Sequence, residues 1–303
     1  MLINNIIEVI GNTPLLKLNN IMKEFNLNNN IYAKLEYFNP GFSIKDRPSL
    51  DMIKKADLSK GGTVIEATSG NTGIGLALAC IKHNYKLVIT MPENVSEERK
   101  QLLKALGANI VLTSEKDGMN GAIKKAKYIN ENTDNSIYIN QFENKFNYLS
   151  HYKTTAPEIY AELNGKIDYF VSAVGSGGTI TGCGKYFKEK DNSIQIIAVE
   201  PFESSVISGF SKGTHGIQGI GAGFIPEILD IKLIDKTIRI STDEAYKYAR
   251  YLAKYEGVLA GISAGANLLA TIKVNQEISK KTIVFIIPDS SERYISSGIY
   301  KEL

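Results

Sequence analysis

The chain has few of the residues that mark a disulfide-rich or metal-binding protein. Its 303 residues include two cysteines, three histidines and no tryptophan. Two cysteines are too few for a disulfide framework, and Cys80 and Cys183 both lie in apolar helical context, so we predict that they are small buried side chains. His83, His151 and His215 are spaced too widely for a local metal motif. We therefore expect no bound metal, and we predict surface or loop-border positions for the three histidines.

Long apolar runs and an excess of one charge are also absent. The 35 Lys and Arg residues are nearly balanced by 32 Asp and Glu residues, which leaves a net charge of +3. The basic residues are scattered, so nothing favours a nucleic-acid partner. The first residues lack the basic and apolar regions of a signal peptide, and no stretch approaches a membrane span. We expect a cytoplasmic protein with no nucleic-acid and no membrane partner.

Short apolar, β-branched runs alternate along the chain with helix-length amphipathic segments. The runs are continuous rather than alternating, which is typical of parallel strands covered by helices on both faces. The pattern predicts an α/β fold with one or two doubly wound sheets. Predicted strands are 63–66, 87–91, 109–112, 169–173, 196–199 and 282–287, and predicted helices include 72–83, 97–106 and 243–256.

Lys45 is the most informative residue, within Asn39-Pro40-Gly41-Phe42-Ser43-Ile44-Lys45-Asp46-Arg47-Pro48. A lysine amine attacks carbonyl groups when burial or a nearby positive charge lowers its pKa, and Arg47 is a candidate for that charge. Taken alone, the motif is more often a solvated lysine at the start of a helix. The segment Thr68-Ser69-Gly70-Asn71-Thr72-Gly73 follows about one strand later, and the pair favours a Schiff-base lysine beside a substrate cradle.

Gly175-Ser176-Gly177-Gly178-Thr179 is the strongest glycine-rich turn. It lies between a predicted strand and a helix predicted from Ile180, so backbone N–H groups and a helix N-terminus converge there, which suits a phosphate. It is not a nucleotide P-loop, because Gly184-Lys185 is followed by tyrosine. It is not a dinucleotide fingerprint either, because the third glycine is missing.

Two other turns are candidates for ligand binding. The turn 68–73 also lies between a strand and a helix, with Asn71 and Thr72 at N-cap-like positions. Its donors suit an anion, and a substrate carboxylate fits as well as a phosphate. The segment 218–226 is rich in glycine and ends in proline, which favours either a mobile lid or pocket wall, or a plain surface loop.

A reactive lysine, a phosphate turn and an anion cradle in one α/β chain are the three sites that pyridoxal 5'-phosphate needs to act on an amino acid. From about Ile7 to Tyr300 the chain resembles the cysteine synthases (O-acetylserine sulfhydrylases) of the β-family, or fold-type II, pyridoxal-phosphate enzymes. The resemblance implies two domains, each with a twisted, mostly parallel sheet, as in tryptophan synthase β. The motifs that carry it are 11–15, 39–48, 66–75, 91–94, 98–99, 106–108, 141–144, 175–179, 198–201, 218–226 and 288–294.

The resemblance also implies roles for residues. Lys45 would hold the cofactor as an aldimine and move the α-proton, Asn71 would bond the ring hydroxyl, and Ser290 would face the pyridine nitrogen. The cofactor phosphate would be bound by Gly175, Ser176, Gly177, Gly178 and Thr179. The substrate would be bound by Thr68, Ser69, Gly70, Thr72 and Gln141, with Gly221 and Ala222 in a loop that closes over it.

By the same resemblance, residues 39–149 form a smaller, mobile domain that carries the substrate turn. Residues 1–38 and 150–303 form a larger domain that carries the phosphate turn, with the active site in the cleft between the two. The resemblance further implies a homodimer and docking of the C-terminus of serine acetyltransferase.

The implied reaction is a β-replacement that makes L-cysteine from O-acetyl-L-serine and sulfide through an α-aminoacrylate intermediate. Phe42, Ser176, Ala264 and Ser291 depart from the usual family pattern, and the stretch 208–215 is shorter than is typical. The second reactant therefore stays open between sulfide, a thiol, cysteine and water. The alternatives are a sulfide-releasing β-elimination or replacement that starts from L-cysteine, a partly non-catalytic docking role, and, more remotely, a dehydrogenase.

Overall fold

A computed structural model of the chain, which describes residues 2–301, contains two compact units. Unit 1 comprises Met1–Ile10 and Asn39–Asn147, and unit 2 comprises Gly11–Phe38 and Tyr148–Leu303. The sequence prediction placed the first ten residues with the larger unit, which is wrong. They belong with unit 1 because Ile7 is buried in its hydrophobic core, an interaction between distant parts of the chain that no local pattern reveals.

Unit 1 is built on a four-stranded, fully parallel sheet with the strand order β5-β4-β3-β6. Its strands are β3 (Thr63–Ala67), β4 (Lys86–Pro92), β5 (Asn109–Thr113) and β6 (Ser136–Tyr138). Its helices are α2 (Asp46–Lys54), α3 (Asn71–His83), α4 (Glu97–Ala105) and α5 (Gly118–Glu131).

Unit 2 is built on a six-stranded sheet with the order β1-β2-β10-β7-β8-β9, in which β1 and β2 alone pair antiparallel. The strands are β1 (Leu15–Lys17), β2 (Asn30–Leu35), β7 (Tyr169–Ala173), β8 (Gln195–Pro201), β9 (Lys236–Ile240) and β10 (Thr282–Ile287). The helices are α1 (Asn19–Glu24), α7 (Thr155–Glu162), α8 (Gly178–Lys190), α9 (Thr242–Glu256) and α10 (Ile262–Asn275), while α6 (Lys145–Lys153) contains the division between the units.

The predicted α/β class is confirmed, and each of the six predicted strands is present within two residues of its predicted ends. Four strands were missed. The strands β1 and β6 have three residues each, too few for a recognisable pattern. Charged residues interrupt β2 and β9, so neither shows the continuous apolar run that predicted the others.

The cores explain why these strands form. In unit 1, β-branched and leucine side chains of the sheet pack against the apolar faces of α2 and α3, and Cys80 belongs to this core. Both Cys80 and Cys183 are buried, as predicted, and burial raises the pKa of the Cys80 thiol to about 12. None of the helices that the structure describes is both long and apolar enough to cross a membrane. Within residues 2–301, no three or more His, Cys, Asp or Glu side chains cluster closely enough to hold a metal ion.

Lys34 is a fully buried cation on β2 of unit 2. Its ammonium donates to the carbonyl oxygen of Thr13 at 2.6 Å. It also lies 3.1 Å from a carboxylate oxygen of Glu158 and 3.1 Å from one of Glu162, both on α7. Because a buried ammonium loses its hydration, these three acceptors are what makes its burial tolerable. The cluster joins β2 to the segment just before β1 and to α7.

We predict that Lys34→Met lowers the free energy of unfolding by about 3 to 5 kcal/mol, because two partly buried carboxylates lose their shared cation. Urea unfolding followed by circular dichroism measures this loss. The matched control is Lys236→Met, which removes an ion pair to Glu277 whose two side chains are 44% and 60% exposed. That change should cost less than about 1 kcal/mol. Equal losses in the two variants would show that the Lys34 cluster contributes no more than a surface pair.

Candidate active site

The turn Thr68–Gly73 follows β3, an interior strand of the sheet of unit 1, and leads into α3. Helix α3 begins at Asn71, and its N-cap residue is Gly70, in extended backbone with no side-chain cap. Asn71 and Thr72 are thus inside the helix rather than at its cap as predicted, because glycine, which has no side chain, occupies the cap. The first N–H groups of a helix have no partners within it and carry partial positive charge. This turn is therefore suited to hold an anion.

Lys45 is the N-cap residue of α2 and is partly buried. A Cβ atom at Gly75 of α3 would lie 2.9 Å from the Lys45 carbonyl oxygen and 2.7 Å from Ser49 Oγ, so only glycine permits this approach of the two helices. The Ser49 hydroxyl also donates to the Thr72 carbonyl oxygen at 3.4 Å. Helix α2 therefore begins beside the first turn of α3. The structure brings Lys45 into the same part of unit 1 as the turn 68–73.

Gln141 lies just after β6, and its side chain connects the turn to the sheet. Its amide nitrogen Nε2 donates to Glu66 Oε1 at 3.2 Å, and its amide oxygen Oε1 accepts from the Thr72 hydroxyl at 2.8 Å. The backbone N–H of Asn140 donates to Glu66 Oε2 at 2.8 Å, and Asn147 donates to the Gln141 carbonyl at 2.7 Å. Two predicted substrate residues, Thr72 and Gln141, are thus in direct contact.

Glu66 is fully buried in β3, where it anchors this network. Burial raises the pKa of its carboxyl to about 8, although hydrogen bonds from Gln141 and Asn140 act in the opposite direction. The pKa of Tyr138 is also raised, mainly by burial and further by the negative charges of Glu66 and Glu143. A buried carboxyl with a pKa near neutrality is typical of functional sites.

Arg99 on α4 connects that helix to the same turn. Its Nη1 atom donates to the carbonyl oxygen of Ser69 at 3.1 Å. The bond places a cation beside a residue that was predicted to bind the substrate carboxylate. Arg99 therefore adds positive charge near the N-terminus of α3 and restrains the backbone of the turn.

In unit 2, the turn Gly175–Thr179 follows β7 and leads into α8. Helix α8 begins at Gly178, two residues before the predicted start at Ile180, with Gly177 as an N-cap that has no side-chain hydrogen bond. Glycine does not signal a helix in a sequence, which explains the difference. The Ser176 and Thr179 side chains are both buried at this helix start.

The backbone of the turn 175–179 packs directly against the loop 218–223. The Gly221 N–H donates to the Val174 carbonyl at 2.9 Å. A Cβ atom at Gly175 would lie only 2.3 Å from the Gly219 carbonyl oxygen, so the contact requires glycine. His215 Nε2 lies 3.0 Å from the Gly221 carbonyl oxygen. The loop that was predicted to close over a substrate is therefore attached to the phosphate turn.

His151 on α6 is not at the surface, which corrects the sequence prediction. It is fully buried, its Nδ1 lies 2.9 Å from Thr155 Oγ1, and its Nε2 lies 3.4 Å from Thr179 Oγ1. An isolated histidine carries no local signal of burial, because the contact depends on how α6 packs against the start of α8. His151 thus orients a hydroxyl group of the phosphate turn.

Ser290 lies three residues beyond β10, which pairs parallel with β7 in the sheet of unit 2. It is buried and forms an isolated bridge with Ala260. Because carboxyl ends of adjacent parallel strands lie at one edge of a sheet, Ser290 and Gly175 lie at the same edge.

The structure thus groups the predicted residues within each unit. Lys45, Thr72 and Gln141 are grouped in unit 1 around the turn 68–73, and the turn 175–179 is joined to Gly221 in unit 2. Ala222 is exposed. Sequence reasoning assigned no role to Glu66, Arg99 or His151. Of these three residues, only Glu66 could have been recognised in the sequence. It lies within an otherwise apolar strand, and burial of a carboxylate there is costly unless the side chain has a specific role.

We predict that the stability of the protein depends on Glu66 between pH 4.5 and 8. The carboxyl is ionised in the unfolded chain above pH 4.5 and stays neutral in the folded chain up to about pH 8. Unfolding therefore releases a proton in this window, and stability falls as pH rises through it. The neutral isostere Glu66→Gln should remove this part of the pH dependence and, at pH 8 to 9, raise the free energy of unfolding relative to wild type by roughly 2 to 5 kcal/mol.

Urea unfolding at several pH values measures this difference. The matched control is Glu143→Gln, a nearby carboxylate that is exposed. If Glu66→Gln and wild type show parallel pH profiles, the carboxyl of Glu66 is ionised in the folded protein throughout this range.

Proteins of known structure and sequence are similar to nearly the whole chain. A cysteine synthase of Staphylococcus aureus is 46% identical over 304 residues, which cover 98% of this chain and 97% of that protein. The crystal structure of cysteine synthase from Entamoeba histolytica is 44% identical, with a TM-score of 0.96 over 100% of this chain and 92% of that chain. A hydrogen sulfide-producing enzyme from Fusobacterium nucleatum is 42% identical, with a TM-score of 0.92 over 97% of this chain and 100% of that chain.

The family model described as pyridoxal-phosphate dependent enzyme matches residues 6–289, a span that includes Lys45 and the glycine-rich turns 68–73 and 175–179. With this match and these relatives, the chain belongs to the family of pyridoxal-phosphate dependent enzymes.

Proposed function

We propose that the protein is a cysteine synthase that makes L-cysteine from O-acetyl-L-serine and sulfide. The observation that carries the proposal is the position of Lys45, partly buried at a helix start that packs beside the uncapped N-terminus of α3. An amine and an anion-binding turn in such proximity suit an amino acid, which presents a carboxylate two bonds from its amino nitrogen. Relatives named cysteine synthase are 44% and 46% identical to this chain over nearly its full length.

The turn 175–179 fits the phosphate group of pyridoxal phosphate. Its helix N-terminus is capped by a glycine, so no side chain competes for the first N–H groups of α8. The hydroxyls of Ser176 and Thr179 are buried beside them, and His151 orients the second. A Cβ atom at Gly175 would collide with the backbone of Gly219, so no larger residue fits at this position of the turn.

When bound, pyridoxal phosphate supplies an electron sink that stabilises negative charge at the substrate α-carbon. Lys45 would hold the cofactor through its Nζ atom and then, as a free amine, take the α-proton and return it at the end of the reaction. Asn71 would donate to the ring hydroxyl. Ser290 would face the ring nitrogen, and a neutral hydroxyl there would leave that nitrogen less protonated than a carboxylate would.

The substrate carboxylate would bind at the turn 68–73. Backbone N–H groups of this turn and the hydroxyls of Thr68 and Ser69 would supply neutral donors, and the positive end of the α3 dipole adds to them. Thr72 and Gln141 would contribute from beside the turn, where the two are hydrogen-bonded to each other. Arg99 holds the turn in this conformation through the Ser69 carbonyl. Gly221 and Ala222 belong to the loop that would close over the bound substrate.

A second candidate function is release of sulfide from L-cysteine by β-elimination. It is favoured by the similarity to the hydrogen sulfide-producing enzyme of Fusobacterium nucleatum, at 42% identity. The same lysine and the same turns would serve, because the two reactions differ in the leaving group at the β-carbon. A homodimer, docking of serine acetyltransferase and a cytoplasmic location stay predictions.

The visible absorption spectrum of the purified protein tests both candidates. We expect an absorption band from the bound cofactor that changes with O-acetyl-L-serine and returns on addition of sulfide, with L-cysteine as the product. Lys45→Ala should lower the rate of cysteine formation by at least about 10³-fold, because one amine both holds the cofactor and moves the proton. The control Lys54→Ala, an exposed lysine on the same helix, should keep wild-type activity.

A spectrum that responds to L-cysteine with release of sulfide, and not to O-acetyl-L-serine, would replace the proposed function by the second candidate. A purified protein that binds no added pyridoxal phosphate would contradict both.

We further predict that Gly175→Ala weakens binding of pyridoxal phosphate by at least about tenfold, because the new Cβ atom must displace either the turn or Gly219. Equilibrium dialysis against the cofactor measures the change. The control Gly184→Ala lies on α8, the helix that follows this turn, where the nearest atom would be 3.5 Å from the new Cβ, an ordinary contact. Equal cofactor affinity in the two variants would contradict the assignment of this turn.

A further inference from the structure

Unlike its hydrogen-bond partners Asn140 and Gln141, Glu66 can change its protonation state and thereby change from a hydrogen-bond acceptor to a donor. When ionised, a carboxylate only accepts, whereas a protonated carboxyl also donates one O–H. The side-chain amide of Gln141 has both kinds of group, and either end can be turned toward Glu66. Which end faces Glu66 decides which end faces Thr72.

In the structure, Gln141 turns its NH₂ group to Glu66 and its carbonyl oxygen to Thr72. The Thr72 hydroxyl has a single hydrogen, and that hydrogen is donated to Gln141 at 2.8 Å. In this arrangement the hydroxyl can accept a further bond but has no hydrogen for an anion. An ionised Glu66 fits this arrangement, because a carboxylate can only accept hydrogen bonds.

The reversed arrangement follows from protonation. A protonated Glu66 can donate to the amide oxygen of Gln141, so the NH₂ group of Gln141 turns toward Thr72. The Thr72 oxygen then accepts a hydrogen bond, and its hydrogen is free to be donated to a carboxylate at the turn 68–73. Asn140 keeps its backbone hydrogen bond to the other carboxyl oxygen in both arrangements.

Within residues 2–301, the causes that act on the pKa of Glu66 are its burial and the hydrogen bonds from Asn140 and Gln141, and no cation is among them. On β6 and just beyond it, the titratable groups are Tyr138 and Glu143, and both add negative charge when ionised. On β4 the register partner of Glu66 is Ile89, and Lys86 lies at the far end of the strand beside Thr63.

Helix α5 packs on the opposite face of β3, where Ala122 and Ala126 contact Ile65 and Ala67. Because side chains alternate along a strand, the lysines of α5 lie on the side away from Glu66.

We propose that Glu66 is a positioning residue whose protonation sets the orientation of the Gln141 amide, and thereby decides whether Thr72 can donate a hydrogen bond to the substrate carboxylate. The inference rests on the proposed function, since it takes the turn 68–73 as the carboxylate site. Substrate binding thus depends on Glu66, whose side chain acts through Gln141 and Thr72 and does not itself contact the substrate.

The pKa of Glu66, raised to about 8 by burial, puts the change within the working range of many enzymes. Below pH 8 the carboxyl is neutral, Thr72 donates, and the carboxylate binds tightly. Above pH 8 the carboxylate forms, Thr72 donates to Gln141 instead, and binding weakens. One hydrogen bond to a charged group corresponds to about tenfold in affinity or more.

The test is the pH dependence of L-serine binding, followed through the absorbance of the cofactor in the holoenzyme between pH 6.5 and 9.5. In Glu66→Gln we expect the amide oxygen to keep the 2.8 Å hydrogen bond from the Asn140 N–H rather than the longer one, 3.4 Å, from the Gln141 backbone N–H. The NH₂ group then faces the Gln141 side chain and mimics the protonated acid at every pH. Serine and the cofactor titrate in the same way in both proteins. Dividing the wild-type Kd by the Glu66→Gln Kd therefore cancels their contribution to the pH dependence. We expect this ratio to rise from about one at pH 7 to about ten at pH 9.5, with a midpoint near pH 8.

Three further variants sharpen the test. Glu143→Gln, which changes an exposed carboxylate near the same network, should bind L-serine with the wild-type pH profile. Thr72→Ser keeps the hydroxyl and should keep the pH-dependent step. Thr72→Val removes the hydroxyl, so it should bind L-serine weakly at all pH values, without the step near pH 8.

The outcomes separate this inference from the proposed function. A ratio that stays constant across the pH range, while wild type binds L-serine and makes cysteine, overturns the role of Glu66 and leaves the proposed function standing. A step that persists in Thr72→Val also overturns it, because the hydroxyl would then not be the group that responds. A wild-type protein with neither a cofactor band nor L-serine binding overturns the proposed function and this inference with it.

Discussion

The two proposed ligand-binding turns depend on helix N-termini that no side chain caps. Helices α3 and α8 each follow an interior parallel strand, and each has glycine at its N-cap position. A serine or aspartate there would satisfy the first N–H groups and stabilise the helix by about 1 kcal/mol. Glycine leaves those groups for a ligand. The same dipole that favours capping therefore becomes available to bind an anion in each unit.

Close backbone contacts join each turn to its surroundings. Gly75 lets α2 approach α3 so that Lys45 lies beside the turn 68–73, and Gly175 lets the turn 175–179 rest on the backbone of Gly219. Such contacts are stiff because there is no flexible side chain to yield. They hold the ligand-binding groups in position before any ligand arrives, which is the condition for binding without a large cost in ordering the chain.

Two buried ionisable side chains, Lys34 in unit 2 and Glu66 in unit 1, lie in different surroundings. The ammonium of Lys34 in unit 2 is surrounded in the core by a carbonyl and two carboxylates. Glu66 in unit 1 has amide donors but no cation, so burial shifts its pKa toward neutrality instead. The first arrangement stabilises the fold. The second leaves a group that can still change its protonation state, and it lies one side chain away from the turn that is proposed to bind substrate.

The sequence by itself determined the α/β class, the positions of six strands and the two glycine-rich turns, because continuous apolar runs and glycine clusters are local signals. It also identified the cofactor family, because several motifs in order are far more specific than any one of them. It could not show β1 and β6, which are too short, or β2 and β9, which charged residues interrupt. Nor could it assign residues 1–10 to unit 1 or place His151 in the interior, because both depend on contacts between residues distant in the chain. Only the tertiary structure decided that Glu66 contacts Gln141, and that Gln141 contacts Thr72, since parallel strands and their crossovers bring together side chains that lie dozens of positions apart.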